Sequence, residues 1–289
     1  MSEIDVVAFK KNGFFKQNQE NKFSLRVKAL AGMLKADQVK KVGEIAEKYG
    51  QGYVHFTTRQ NIEIPFISLD AIETIKQELA ASGMQTAGGG LRVRSIIACQ
   101  GGAICQGGLI DTTALAEEID RRFYGRELPC KFKIAITGCS NNCAKIEASD
   151  LGIKGGLVPT WHNQNCSFCG RCAGTCPGTA ITVDKEKKSL DYDEKKCLFC
   201  GKCAKTCNGK AWTGKNGFRL YFGGFFGSEI HTGKQYVSII LDTEKVLHVL
   251  DAVLVFFTSN AKKGERLGKT LDRIGTEQFQ KALEEALSQ

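Results

Sequence analysis

Cys99-Gln100-Gly101-Gly102-Ala103-Ile104-Cys105, followed after a helix-length segment by Gly138-Cys139-Ser140-Asn141-Asn142-Cys143, is the stretch around which the chain is organised. The cysteines are spaced C-x5-C and then C-x3-C. Four thiolates can hold one [4Fe–4S] cube, because soft sulfur ligands suit iron–sulfur chemistry. A ferredoxin run, C-x2-C-x2-C-x3-C, is different, and it also occurs twice. It reads C-S-F-C-G-R-C-A-G-T-C-P over 166–177 and C-L-F-C-G-K-C-A-K-T-C-N over 197–208. The chain thus carries two kinds of cysteine constellation, and chemistry is expected at the unusual one.

Working outward, 289 residues at 42% hydrophobic content suffice for one large core or two to three smaller ones. Thirteen cysteines could form a disulfide framework, but they cluster in metal-ligand runs and no secretory apolar segment precedes them. No apolar run approaches the length that spans a membrane. The expected setting is the cytoplasm of an anaerobe. The net charge of +9 is spread along the chain without a basic tail or a nucleic-acid motif. That favours small anions and an acidic cofactor over DNA or RNA.

Residues 1–20 carry little signal and read as a flexible arm. Residues 23–30 alternate as a strand with Arg26 and Lys28 on one face. Residues 36–49 carry Val39, Val42, Ile45, Ala46 and Tyr49 at helical spacing, and Gly50 stops that helix. Residues 53–57 and 62–67 read as strands joined by Thr58-Arg59-Gln60-Asn61, and Ser68 reads as the cap of a helix ending near Ala81. This order is a split βαβ pattern with both helices on one face of an antiparallel sheet. After Gly88-Gly89-Gly90 come a basic strand at 91–98, a helix at 111–124, a strand opening at Lys131-Phe132-Lys133, and another at 151–157. Strands are expected again at 218–222 and 236–241, and helices at 243–258 and 276–287. The fold class is therefore α+β. Residues 1–84 form a ferredoxin-like half-domain. Residues 85–157 with 215–289 form the domain of the unusual cysteines, and residues 158–214 are an insertion.

The insertion is an internal duplication. In two-cluster ferredoxins the fourth cysteine of each run serves the other cube. Cys166, Cys169, Cys172 and Cys207 are therefore expected to hold one [4Fe–4S] cluster, and Cys197, Cys200, Cys203 and Cys176 a second. Zinc also takes four thiolates, but the two-residue gaps and the duplication favour iron–sulfur. Two close cubes make a wire for single electrons. The Cys99, Cys105, Cys139 and Cys143 set could be a third wire cluster. Against that stand the cations nearby: Arg92 with Arg94, and Lys131 with Lys133, each pair on one strand face. Like charges on one face repel unless an anion lies between them; the bland alternative is a solvated basic strand.

Thr57-Thr58-Arg59-Gln60, the C-x5-C and C-x3-C pairs, and L-P-x-K-F-K at 128–133 resemble the siroheme-containing sulfite and nitrite reductases. So do R-V-K at 26–28, F-R-L-Y-F-G-G at 218–224 and L-D-R-I-G-T-E-Q-F at 271–279. The insertion resembles that of the dissimilatory and the anaerobic sulfite reductases. The resemblance implies a siroheme whose iron shares Cys143 as a bridging thiolate, and hence three [4Fe–4S] clusters in all. Arg26, Arg94, Lys131 and Lys133 would surround the open axial position. Lys28, Thr57, Thr58, Arg59, Gln60, Arg92, Asn141 and Asn142 would join Cys143 in binding the cofactor, whose eight carboxylates give the surplus of cations a purpose. Lys28 stands where the family has arginine, and Cys130 where it commonly has arginine.

The activity implied is six-electron reduction of sulfite to sulfide, with electrons entering through the insertion. Nitrite reduction to ammonia is the alternative, and retention of Lys133 favours sulfite. A non-catalytic electron-transfer subunit is the alternative from another class. No nicotinamide or flavin fingerprint is present, so the donor is expected to be a ferredoxin or a reductase subunit. Family members with one chain hold two related halves. This chain has one half plus the insertion, so a homo- or hetero-oligomer is expected.

Overall fold

The computed structural model describes residues 5–288. Asp5 caps a short helix α1 (Val6–Lys11), its carboxylate accepting the Ala8 N–H. Strand β1 (Phe14–Lys16) then pairs antiparallel with β2 (Lys22–Val27). The expected arm is therefore structured from α1 onward. A six-residue helix and a three-residue strand are too short to show a period, yet Phe14 is fully buried.

Helix α2 (Ala36–Tyr49), strand β3 (His55–Phe56), strand β4 (Ile62–Ser68) and helix α3 (Ile72–Ala81) complete the half-domain. The sheet order is β1-β2-β4-β3, antiparallel throughout. Phe23, Leu25 and Val27 of β2 face inward with Ile64 and Ile67 of β4. Val42, Ile45 and Ala46 of α2 and Ile72, Ile75 and Leu79 of α3 close that core. Gly50 ends α2 as expected, its N–H reaching Ala46 O. Ser68 holds the N-cap position of the segment leading into α3, but its side chain makes no capping hydrogen bond. A 3-10 turn intervenes before α3, and the Ser68 hydroxyl accepts from Lys22 Nζ at 2.6 Å.

The second sheet is built from β5 (Ile97–Ala98), β6 (Ile134–Thr137), β7 (Leu151–Trp161) and β10 (Trp212–Phe222). Between β5 and β6 lie α4 (Gly101–Ile104) and α5 (Thr112–Phe123), the latter capped by Asp111. Between β7 and β10 lie α6 (Arg171–Thr175), the hairpin β8 (Ile181–Asp184) and β9 (Ser189–Tyr192), and α7 (Lys202–Thr206). Strands β5, β6 and β7 run parallel, and β10 returns antiparallel to β7. A small hairpin, β11 (Phe225–Phe226) and β12 (Ile230–His231), precedes helices α8 (Thr243–Asn260), α9 (Leu267–Ile274) and α10 (Glu277–Ser288). Helix α8 buries Val246, Leu247, Val249, Leu250, Val253, Leu254, Phe256 and Phe257. With α5, α10 and the sheet it makes the largest core.

Three expected strands shrink. Of residues 53–57 only His55–Phe56 is strand. Of residues 91–98 only β5 is strand, with isolated bridges from Arg92 to Glu127 and from Val93 to Phe132. Residues 236–241 make one isolated bridge to β10, from Ile240 to Phe218, and no strand. Alternation marks a face to bury, and loop backbone can satisfy it without a ladder. The β7–β10 ribbon is longer than expected. It pairs without a break from Leu151↔Phe222 to Trp161↔Trp212. Residues 158–161 and 212–214 thus belong to the ribbon, and residues 162–211 sit at its tip around a small core of Cys172, Ile181 and Trp212.

Candidate active site

The turn between β3 and β4 joins the two sheets. Thr57 Oγ1 accepts the N–H groups of Arg59 and Asn61, at 3.3 and 3.0 Å, which curls the turn. Gln60, at positive φ, then pairs both ways with the backbone of Ala98, donating to its O at 2.8 Å and accepting its N–H at 2.9 Å. Arg59 drives into the protein and donates to Ser95 O at 2.6 Å and Ile134 O at 3.2 Å. Thr57, Arg59 and Gln60 therefore fix the half-domain on β5 and β6. Thr58 makes no side-chain hydrogen bond among the described residues.

Cys99 and Cys139 follow the carboxyl ends of β5 and β6, where parallel sheets present their ligands. Cys105 ends α4, and Cys143 lies in the turn beyond β6. Gly138 donates its N–H to Cys99 Sγ at 3.1 Å. Cys105 Sγ and Cys139 Sγ flank Gly107: a Cβ there would sit 3.6 Å from each, and 4.0 Å from Asn141 Nδ2. Gly108 is packed so closely that a Cβ would stand 2.3 Å from Gly102 N. Asn142 has left-handed backbone, and its side chain is spent on the turn. It donates to Glu147 and accepts Ile146 N–H at 3.1 Å. Among the described residues no three His, Cys, Asp or Glu converge as the ligands of one ion do; a cube, with iron at four corners, holds its thiolates further apart.

The cations gather at the other end of the same strands. Arg94 precedes β5, and Lys131 and Lys133 precede β6. These three line one pocket of about 560 Å³ with Lys10, Cys130 and Arg266. From Lys133 to Cys139 the chain runs roughly 20 Å, six residues at about 3.3 Å each. One chain therefore carries the cationic pocket and the four cysteines on opposite ends of its sheet. An apolar cleft of about 600 Å³ opens beside Cys99, walled by Ala31, Met33, Phe56 and Gln60 among others.

Burial first, and then the charge of their neighbours, lowers three of these cations. Burial lowers the Arg94 guanidinium, and the Arg26 charge lowers it further. Burial, then Arg94, brings Arg59 down to about 10. Lys133 is pushed down to about 8 by burial, then by Arg59, Arg266 and Lys131. Arg26 does not line the pocket. Its guanidinium pairs with Glu63 at 2.6 Å and lies 4.0 Å above the Phe15 ring. Lys28 is also occupied: its ammonium pairs with Asp120 at 2.5 Å and sits 3.6 Å over the Tyr124 ring. A polycarboxylate fits the remaining donors. The Nε atoms of Arg59 and Arg92 are buried with no partner, which is costly unless an acceptor meets them. Siroheme, with eight carboxylates, and a thiolate-held cube match these donor sets.

In the insertion, Cys166, Cys169, Cys172 and Cys207 line one cavity of about 240 Å³. Cys176, Cys197, Cys200 and Cys203 line another, tighter one. The duplication holds in detail. Phe168 and Phe199 have positive φ and donate N–H to Cys166 and Cys197 Sγ, at 3.4 and 3.3 Å. Ala180 and Ala211 do the same for Cys176 and Cys207, at 3.3 and 3.2 Å. The second cysteine group abuts the domain of Cys99. Phe199 O accepts Leu157 N–H at 2.8 Å, Leu198 O accepts Arg219 Nη1 at 2.9 Å, and Lys205 Nζ donates to Gln106 O.

Sequence reasoning missed Lys10, Asp150 and Arg266. Lys10 lies on the expected arm. Asp150 and Arg266 are 116 residues apart and meet only in the fold.

The chain belongs to the nitrite and sulfite reductase family: residues 15–82 match the ferredoxin-like half domain of these enzymes, and residues 89–289 their 4Fe-4S domain. It is 37% identical to the coenzyme F420-dependent sulfite reductase of Methanocaldococcus jannaschii over 92% of its own length, and it covers 43% of that protein. It is 30% identical to an uncharacterised protein of the same organism over 92% of both chains. It is 31% identical to one subunit of the anaerobic sulfite reductase of Salmonella typhimurium, over 62% of this chain and 57% of that one. A dissimilatory sulfite reductase I structure superposes with a TM-score of 0.73 at 20% identity, over 92% of this chain and 69% of its own, and so shares the fold.

Proposed function

We propose that this chain is the siroheme and [4Fe–4S] core of a sulfite reductase that reduces sulfite to sulfide with six electrons. The observation that carries the reading is the pocket that gathers Lys10, Arg94, Lys131, Lys133 and Arg266 against a single lining carboxylate, Glu229, which is itself paired with Lys269. Cys99, Cys105, Cys139 and Cys143 would hold a [4Fe–4S] cube, with Cys143 also serving siroheme, and the two groups together would supply the redox chemistry. The cations bind the substrate's oxygens and oppose the negative charge that grows as electrons arrive. Lys133, titrating at about 8, is charged near neutral pH yet gives up its proton readily. That suits proton donation as each S–O bond breaks and water leaves. Arg59 and Arg92 would hold cofactor carboxylates. Arg26 would act from the pocket's edge, through its charge on Arg94.

Cofactor and domain boundaries extend this reading. The insertion at the ribbon's tip, residues 162–211, would be a two-cluster ferredoxin module, with Cys166, Cys169, Cys172 and Cys207 on one cube and Cys176, Cys197, Cys200 and Cys203 on the other. Support comes from the two cavities, each lined by one of these sets. The second set lies against the Cys105–Leu109 segment, so electrons would pass from the first cube to the second and then to the Cys99 cube. The separation of cations and cysteines across β5 and β6 supports an oligomer, in which a second chain brings its cysteines to this chain's pocket. A ferredoxin or a reductase subunit would supply electrons, in the cytoplasm. No helix among the described residues is long and apolar enough to cross a membrane.

The test is Lys133→Asn. Sulfite turnover should fall at least tenfold with siroheme content retained. Unchanged turnover would remove the pocket from the mechanism.

A further inference from the structure

Asp150 is fully buried, in the bend leading into β7. Its Oδ2 accepts the backbone N–H of Lys133 at 2.7 Å. The same carboxylate takes Arg266 in a fork, Nε to Oδ1 at 2.9 Å and Nη2 to Oδ2 at 2.7 Å. Arg266 stands just before α9, with its side chain 11% exposed and its guanidinium 5.2 Å from the Phe225 ring centre. The loop that carries it is tied to the lysine segment, since Gly264 N–H donates to Pro129 O at 2.9 Å and Cys130 Sγ to Gly264 O at 3.2 Å. Arg266 lines the same pocket as Arg94, Lys131 and Lys133. Its Nη1 has no hydrogen-bond partner among the described residues.

A buried carboxylate needs only one well-matched cation. Two arms of this guanidinium meet that need, which leaves the third edge free and fixed in direction. A fork held at two points cannot swing away when an anion leaves, unlike a lysine on a flexible stem. Asp150 also sets where the Lys133 backbone lies, so one carboxylate positions two walls of the pocket.

We propose that Arg266 is a further substrate-contacting cation of the sulfite pocket, presenting Nη1 to a substrate oxygen, and that Asp150 is the positioning residue that aims Arg266 and Lys133. This rests on the reading of the pocket as the sulfite site, and the controls separate the two. The charge at this wall comes from the C-terminal segment, because the neighbouring position in the lysine segment is Cys130, a neutral buried thiol that feels the Arg266 charge.

The experiment measures sulfite binding to the purified holoprotein by anaerobic calorimetry, with siroheme content read from the absorption spectrum of each sample. The variants are Arg94→Gln, Arg266→Lys, and the pair Asp150→Asn with Arg266→Gln, which removes both charges and leaves no unpaired ion in the core. Arg94→Gln should weaken binding. Arg266→Lys should weaken it roughly tenfold or more, the scale of one charge-assisted hydrogen bond, since an ammonium cannot serve Asp150 and the substrate at once. The paired variant should weaken it at least as much, raise KM more than it lowers kcat, and keep its siroheme. Loss in Arg94→Gln alone, with Arg266→Lys and the paired variant binding as the parent does, overturns the inference and leaves the pocket reading intact. No loss in any of the three overturns both. If the paired variant does not fold, Arg266→Lys decides, because it keeps a cation beside Asp150.

Discussion

Lys28→Met tests how the half-domain is held to the rest of the protein. Lys28 follows β2 and Asp120 lies on α5, so their 2.5 Å contact crosses between the two sheets. The side chains are 8% and 15% exposed, and Asp120 Oδ1 is buried with no partner of its own. Methionine fills the lysine volume but leaves a carboxylate in the interior with nothing opposite it. Removing one partner of a buried pair costs about 3–5 kcal/mol. The lost contact with the Tyr124 ring falls inside that range, as cation–π contacts reach about 2 kcal/mol when desolvated. Adding Asp120→Leu should bring stability back to within about 1 kcal/mol of the parent, because an apolar pair of similar volume replaces a buried ion pair at little or no cost. The assay is anaerobic urea unfolding followed by far-ultraviolet circular dichroism. Both tryptophans, Trp161 and Trp212, sit at the base of the insertion, so their fluorescence would report on another region. A single variant that loses less than about 1 kcal/mol would refute the argument. A double variant that keeps its stability and loses its siroheme would return Lys28 to the cofactor-binding role that the sequence suggests.

Two further outcomes follow from the packing and the charges. At Gly155 a Cβ would stand 2.2 Å from Gly138 O, in the turn that carries Cys139. Gly155→Ala should cost about 1–3 kcal/mol and lower the iron and acid-labile sulfide content; full iron content would contradict the packing. The pH dependence of sulfate binding tests Lys133, because sulfate keeps its charge throughout. The folded-state value of about 8 lies below the ordinary 10.5, so the proton leaves first in the folded protein. Affinity should fall as pH rises through about 8, approaching one decade per pH unit, while stability gains between about 8 and 10.5 as the buried charge is relieved. Burial pushes the Cys130 thiol up, away from the pH at which Lys133 loses its proton. A flat calorimetric profile would show that Lys133 does not face the anion.

The parts of this fold legible in the sequence are those with local causes. Helix α2 is bounded by a periodic stripe and Gly50, and α5 falls within the helix expected at 111–124. The insertion announces itself because duplicated cysteine runs force duplicated turns. What is illegible depends on distant partners. Nothing local to Arg266 says that it meets Asp150, and Lys10 joins the pocket only because β1 adds to the sheet edge. Lys28 resembles a cofactor ligand by position, and its partner on α5 is visible only in three dimensions. The cysteines and the cations are both evident as residues. Their places at opposite ends of β5 and β6 require strand directions that spacing does not supply.

The most direct test of the central claim is the anaerobic visible absorption spectrum of the purified protein, taken before and after sulfite is added. The account predicts siroheme bands that shift with sulfite, above the broad absorption of iron–sulfur clusters. Broad iron–sulfur absorption alone, unchanged by sulfite, would contradict it and leave an electron-transfer subunit in its place.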